Sequence, residues 1–328
     1  MKIQKPDRHV QWPKDFGRRF LISIDTEEEF DWDAPFQRRG HTTVTVPMLQ
    51  KFQEFIEKYG VKPAYFVDYS IIKDDEAVAF LRSVADEQTA EIGVHLHPWV
   101  NPPFEERVND HNSFAGNLPK ELEEEKLVEL RDAIRDKTGV TPVIYRAGRY
   151  GIGPHTTELL VKHGFVMDSS IRPRFDYSGE GGPDFLGMGS EPFWWDGSEK
   201  LLEVPLTTVY SGIFRKQAGL AAAAMEKYPL VNALFSRSKM LERIPLTPEG
   251  VSARETKEAI DVALDDDLRL LVFSFHSPSL SPGHTPYVRT EAELDGFYDW
   301  WREILDHLEA RNVKPVDISE LLQAASGV

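Results

Sequence analysis

Asp25 with Glu27, and His95 with His97, are two pairs of reactive side chains spaced i, i+2. On an extended segment alternate side chains share a face, so each pair aims at one centre. A carboxylate and two imidazoles from two strand ends make three ligands of a catalytic zinc-type site, with a fourth position left for water. An isolated His-x-His is more often two imidazoles bonded to backbone or water. The neighbouring acidic cluster and His276 favour the metal reading here. Asp25 closes the apolar run RFLISID, and Glu27, Glu28, Glu29, Asp31 and Asp33 follow it. Glu28, Glu29 and Asp33 read as a solvated turn. Repulsion among so many carboxylates is relieved by a cation or by an arginine. Arg146, in the run PVIYRA, is a suitable counter-charge. His276 ends LLVFSFH and is either a packed core residue or a general acid. Trp99, Tyr150 and Trp194 flank this polar set as sugar-stacking or core aromatics. With Arg149 and Asp168 they form the expected substrate-binding group.

These residues share one property of placement: they stand at the C-terminal ends of short apolar runs. The candidate strands are 19–25, 63–67, 91–97, 142–147, 165–169, 201–207, 270–276 and 314–318. Amphipathic helical patterns lie between them at 48–59, 120–137 and 155–163. Thr290 and Glu293 have capping-box spacing at the start of a last long helix. Strands alternating with helices specify a (β/α) barrel, whose strand ends converge on one mouth. An open doubly wound sheet is the alternative, weakened by the lack of a Gly-rich loop after the first strand. Long segments at 98–118, 171–195 and 211–250 follow strands and crown that mouth. The last is expected to be a helical insertion, serving as a lid or a subunit interface. No linker divides the chain, so 1–328 reads as a single catalytic domain with its barrel from about 19 to 325.

Composition narrows the chemistry. Over 328 residues, 38 Lys and Arg stand against 54 Asp and Glu, for a formal charge of -16. Such a surface repels phosphate backbones and anionic membranes, so no nucleic-acid partner is expected. The absence of cysteine excludes thiolate nucleophiles and Cys-based metal sites. No apolar stretch approaches a membrane span of about 18 residues, and no signal peptide is visible, so cytoplasmic residence is the expectation. A homo-oligomer is compatible with everything above.

The motifs RFLISIDTEEEFDW, EIGVHLHPW, YRAGRYGI, FVMDSS, LLEVP and VFSFHSP, in this order, resemble those of polysaccharide deacetylases. That is the NodB-like group, carbohydrate esterase family four, and the likeness runs from about Arg19 to the last helix. It implies a distorted TIM-like barrel with long loops on its C-terminal face. It also implies a metal-dependent hydrolase that deacetylates an N- or O-acetylated saccharide and leaves peptide bonds alone. In that scheme a divalent metal, Zn2+ foremost, is held by Glu27, His95 and His97, and its water attacks the acetyl carbonyl. Asp25 is the base, Arg146 holds it, and His276 is the acid. Two departures stand out. The family's adjacent Asp-Asp is replaced by Asp25-Thr26-Glu27, which makes Glu27 or Glu28 the ligand. The two histidines, normally three residues apart, have only Leu96 between them. Three alternatives are kept: a metal-free amidohydrolase of a small cyclic amide, a saccharide-binding module without activity, and a glycosidase built on Asp25, Asp168 and Glu203.

Overall fold

A computed structural model describes residues 6, 8–195, 199–213, 215 and 241–327. The strands are β1 (Arg18–Thr26), β2 (Ala64–Val67), β3 (Glu91–Leu96), β4 (Ile144–Ala147), β5 (Met167–Asp168), β6 (Phe193–Trp194), β7 (Leu202–Glu203), β8 (Thr208–Ser211), β9 (Glu242–Pro245), β10 (Leu270–His276) and β11 (Val313–Pro315). The helices are α1 (Pro47–Ile56), α2 (Tyr69–Lys73), α3 (Asp75–Asp86), α4 (Lys120–Thr138), α5 (Thr156–Lys162), α6 (Ala253–Asp265), α7 (Glu291–Ala310) and α8 (Ile318–Ser326).

One sheet runs β10-β1-β2-β3-β4-β5-β7-β6, and β11 pairs with the start of β1. The pairings are parallel except β6 with β7. Helices cross between successive parallel strands from β1 to β5, as parallel pairing requires. Past β7 the chain leaves regular pairing but still bridges the remaining gap. Leu206 N–H donates to the Ile171 carbonyl at 3.0 Å, and Thr207 N–H donates to the Val272 carbonyl at 3.1 Å. Val272 N–H donates in turn to Thr207 Oγ1 at 2.8 Å. The result is a distorted (β/α) barrel.

Period-two alternation divides the core into two layers. Phe20, Ile22 and Ile24 of β1 face outward to Phe52, Leu81, Leu130 and Trp301 of the helices. Leu21 faces inward with Ala64, Phe66, Ile144, Met167, Leu202, Leu270 and Val272, and α8 adds Ile318 and Leu321 to this floor. Gly93 keeps the floor closed. A Cβ there would lie 2.7 Å from Ile144 and 2.8 Å from Phe66. Continuing up the same inner face, the residues turn polar: Ser23 and Asp25 above Leu21, Arg146 above Ile144, His95 above Gly93, Ser274 and His276 above Val272. Strand alternation therefore delivers the chemistry to one end of the barrel.

Several elements differ from the expectation. The runs at 165–169 and 201–207 pair over two residues each, at Met167–Asp168 and Leu202–Glu203. The last run ends at Pro315, and Asp317 instead caps α8 by accepting from Glu320 N–H at 2.8 Å. Thr290 caps α7, but Glu293 bonds Arg289 N–H at 2.7 Å rather than completing a box. The complete capping box is Ser252 with Glu255, at the start of α6. The expected helical insertion at 211–250 includes part of an antiparallel pair, with Tyr210 opposite Arg243 in β8–β9. Residues 216–240 of that expectation lie outside the described residues. Among the described residues no helix is long and apolar enough to cross a membrane.

Candidate active site

β1 and β10 run in register so that Asp25 stands beside His276, and β3 and β4 so that His95 stands beside Arg146. All four side chains meet at the barrel mouth. Arg146 is fully buried, and each arm of its guanidinium is used. Nε donates to the Ser169 carbonyl at 2.9 Å, and Nη2 donates to Ser23 Oγ at 2.8 Å and Ser169 Oγ at 3.0 Å. Nη1 donates to Asp25 Oδ1. The Phe66 ring lies beneath, 4.4 Å from the guanidinium carbon. Burial alone raises a carboxyl. At Asp25 the charges of Arg146, His95 and His276 outweigh it and hold the group at about 2.

Glu27 faces both histidines, its Oε2 lying 3.4 Å from His95 Nε2 and 3.4 Å from His97 Nε2. The far nitrogen of each ring is tied. His95 Nδ1 lies 3.1 Å from the Arg146 carbonyl, which only accepts, so Nδ1 carries the proton. His97 Nδ1 lies 3.1 Å from Glu28 Oε2. Glu28 also accepts from the Trp99 indole at 2.8 Å, and the Trp99 ring stacks on His97 at 4.2 Å. Asp68 sits beside Glu28. Burial, and then the Glu28 charge, push Asp68 well above the usual carboxylate range, and burial raises Glu28 as well. Burial lowers His95, and lowers His97 to about 4, so both rings are neutral at pH 7. Two Nε2 lone pairs and a carboxylate oxygen thus converge with no donor between them. Glu27 Oε1 is buried without a partner as well. The donor set Glu27, His95 and His97 fits a divalent cation, for the mutual repulsion of three acceptors is what a cation relieves. Without one, burial raises Glu27 to about 7 against the pull of His276 and His95.

Gly148, just past β4, makes room for this group. A Cβ there would fall 2.3 Å from His97 Cδ2. Glu28 and Glu29, expected in a solvated turn, are buried instead. Glu28 orients His97, while Glu29 accepts from Val44 N–H at 2.9 Å and Thr45 N–H at 2.8 Å, pinning the loop after β1. Asp33 is exposed, as expected.

His276 occupies the other side. Its Nδ1 lies 2.8 Å from Glu249 Oε2 and its Nε2 3.9 Å from Asp25 Oδ2. Burial lowers an imidazole, but Glu249, Glu27 and Asp25 prevail and raise His276 to about 10. Ser279 Oγ and the His276 N–H fix the second oxygen of Glu249, at 2.6 and 3.1 Å.

A cavity of about 200 Å³ opens over these groups, walled by Trp32, Trp99, Tyr150, Tyr177 and Tyr287. This is below the roughly 300–1,000 Å³ of drug-sized sites, so one small moiety fits deeply and the rest of a ligand stays outside. Arg149 also lines it, held by Ser113 and by an ion pair to Glu180. Two other expected substrate residues lie elsewhere. Asp168 is buried outside the cavity, bonded to Ser170 and paired with Glu203, because in β5 it alternates with the inward Met167 and shares the outer face with Tyr145. Trp194, in β6, packs into the floor cluster with Val10 and Phe16. Glu249, Trp32, Arg172, Tyr177 and Tyr287 were not anticipated; all come from loops, where no period marks the inward face.

No protein-family model and no curated protein matches the chain. Solved structures do. A protein from Mycobacterium smegmatis described as a polysaccharide deacetylase aligns over 95% of this chain and 97% of its own, with TM-score 0.50 and 20% identity. The 4-alpha-glucanotransferase of Thermococcus litoralis aligns over 94% of this chain and 40% of its own, with TM-score 0.54 and 14% identity. A common barrel does not dictate a common reaction. The chain has the fold of the polysaccharide deacetylases, a distorted (β/α) barrel of the NodB-like type.

Proposed function

We propose that this protein is a metal-dependent hydrolase that removes acetyl groups from an acetylated saccharide. The observation that carries the reading is the pair of imidazoles, Nδ1 tied and Nε2 free, that face the buried Glu27 carboxylate at 3.4 Å. Glu27, His95 and His97 would hold the cation, and a donor set of two nitrogens and one oxygen suits Zn2+. Such an ion polarises an acetyl carbonyl and brings the pKa of water to about 7. Asp25, held ionised with its pKa at about 2, would accept the proton of the attacking water. Arg146 keeps its carboxylate ionised and aimed as it takes the proton. As the carbon–nitrogen bond breaks, the His276 imidazolium donates a proton to the departing nitrogen. The aromatic walls suit a sugar ring and exclude bulk water.

A metal-free amidohydrolase has one observation in its favour: at about 7, Glu27 can carry a proton that links it to an imidazole. The glycosidase alternative is not retained. It needs two carboxylates across a substrate, and Asp168 and Glu203 are turned to each other outside the cavity. Elemental analysis separates the remaining readings. Wild type should bind about one divalent ion per chain and the His95→Ala/His97→Ala double variant none, with acetate released from acetylated saccharides by wild type alone. Acetate release from metal-free protein would overturn the metal mechanism. Saccharide binding without release would leave a binding module.

A further inference from the structure

The cavity contains a guanidinium that the hydrolysis does not use. Arg172 lines it, on the loop after β5, together with Tyr150, Tyr177 and Tyr287. Its Nη1 donates to the Tyr177 hydroxyl at 3.1 Å, and its carbon lies 5.3 Å from the Tyr150 ring centroid and 4.0 Å from that of Phe175. Arg243 lies over the same Phe175 ring at 3.8 Å, which puts two positive charges against one aromatic. The other cavity arginine, Arg149, is neutralised by Glu180, and Arg146 beneath the site by Asp25. Among the described residues no carboxylate pairs with Arg172. Arg172 is half-buried, and withdrawing a guanidinium even partly from water without an anion is unfavourable. Aromatic faces and one phenol hydroxyl return part of that energy, and its remaining donors stay available in a fork that matches carboxylate or phosphate oxygens.

We propose that Arg172 is a specificity residue that binds an anionic substituent, carboxylate or phosphate, on the saccharide. This rests on the proposed deacetylation only for the identity of the reaction, since anion binding needs no turnover. The acetylated substrate is then a charged sugar. That choice runs against the negative charge of the whole chain, which makes a local cation the requirement for capture.

Three probes matched at one carbon test it on the full chain: N-acetylglucosamine, its 6-carboxylate (N-acetylglucosaminuronate) and its 6-phosphate. Titration calorimetry should show one or both anionic sugars bound about tenfold or more tighter than the neutral one, with the advantage shrinking in salt. The tighter of the two identifies the native group. Arg172→Gln should erase the advantage and leave the neutral sugar unchanged, whereas Arg172→Lys should retain part of it and show that the fold tolerates the site. Equal binding of charged and neutral sugars, no binding of the anionic ones, or a preference that survives Arg172→Gln would overturn the proposal. Acetate release, followed separately, decides the reaction. Anion-selective binding without acetate leaves Arg172 in place and removes the hydrolase; acetate released with no charge preference does the reverse.

Discussion

Two groups of buried carboxylates stand at the ends of the barrel strands, and they resolve the same electrostatic problem in opposite ways. At the mouth, Asp25, Glu27 and Glu28 are distributed among an arginine, three histidines and an indole, and one oxygen of Glu27 has no partner. Behind β5, Asp168 and Glu203 face each other. Ser170 Oγ and N–H donate to Asp168, the Ile171 N–H donates to Glu203 at 3.0 Å, and the Trp195 indole donates to its other oxygen at 3.2 Å. Burial raises both members of this second pair, Glu203 the further, so they hold a proton between them. Strand position makes the two groups look alike. Their partners set them apart: the rear pair answers its own unpartnered oxygen, Asp168 Oδ2, with a proton shared with Glu203, while the acceptors and charges of the mouth face a cavity that a ligand can enter.

Substitutions can break this contrast. Asp25→Asn should lower acetate release by about 10²–10⁴-fold and leave metal content unchanged, as checked by steady-state assay beside elemental analysis. Normal turnover would remove Asp25 from the mechanism. Glu249→Gln has a smaller, pH-dependent effect. With its main partner neutralised, the His276 pKa falls from about 10 toward the ordinary 6.5, so the alkaline limb of the rate profile moves down. Roughly tenfold less activity at pH 8.5, with little change at pH 6, is the expected result. Asp168→Asn should act on stability alone. Both rear carboxyls titrate higher in the fold than in the unfolded chain, so the folded state holds more protons. The stability they contribute is full below pH 4 and is lost as pH rises through the raised values. Melting curves at pH 5 and pH 8 should show that slope flattened in Asp168→Asn, with a change of about 1 kcal/mol and kcat unaltered. A large loss of kcat would place the rear pair in the reaction.

Much of this arrangement was legible in the sequence because strands obey a period of two. Asp25, His95, Arg146 and His276 each lie an even number of residues past an inward position of their strand (Leu21, Gly93, Ile144 and Val272), so a polar residue of that parity at the end of the run marks the mouth. Asp168 also ends an apolar run, but it follows the inward Met167 by one residue and so falls on the outer face, away from the cavity. Glu28 lay hidden in an acidic run, since nothing local distinguishes a carboxylate under His97 from one in solvent. Glu249 was hidden for another reason: its partner is on β10, and a loop residue becomes recognisable only once the tertiary contact exists. Gly148 belongs to the same class, its role being the space that it leaves for His97.

The pairing of β1 with β10 has a consequence for how the protein is made. These strands bring together residues some 250 positions apart, Ser23 Oγ donating to the Phe273 carbonyl at 2.8 Å. At about 5–20 residues per second, translation leaves roughly 10–50 s between the synthesis of Asp25 and that of His276. For that interval one edge of RFLISID lacks its neighbour and is open to mispairing. The mouth is complete only when β10 docks beside β1, so under the proposed function the first turnover of a nascent chain would also signal that its barrel has closed.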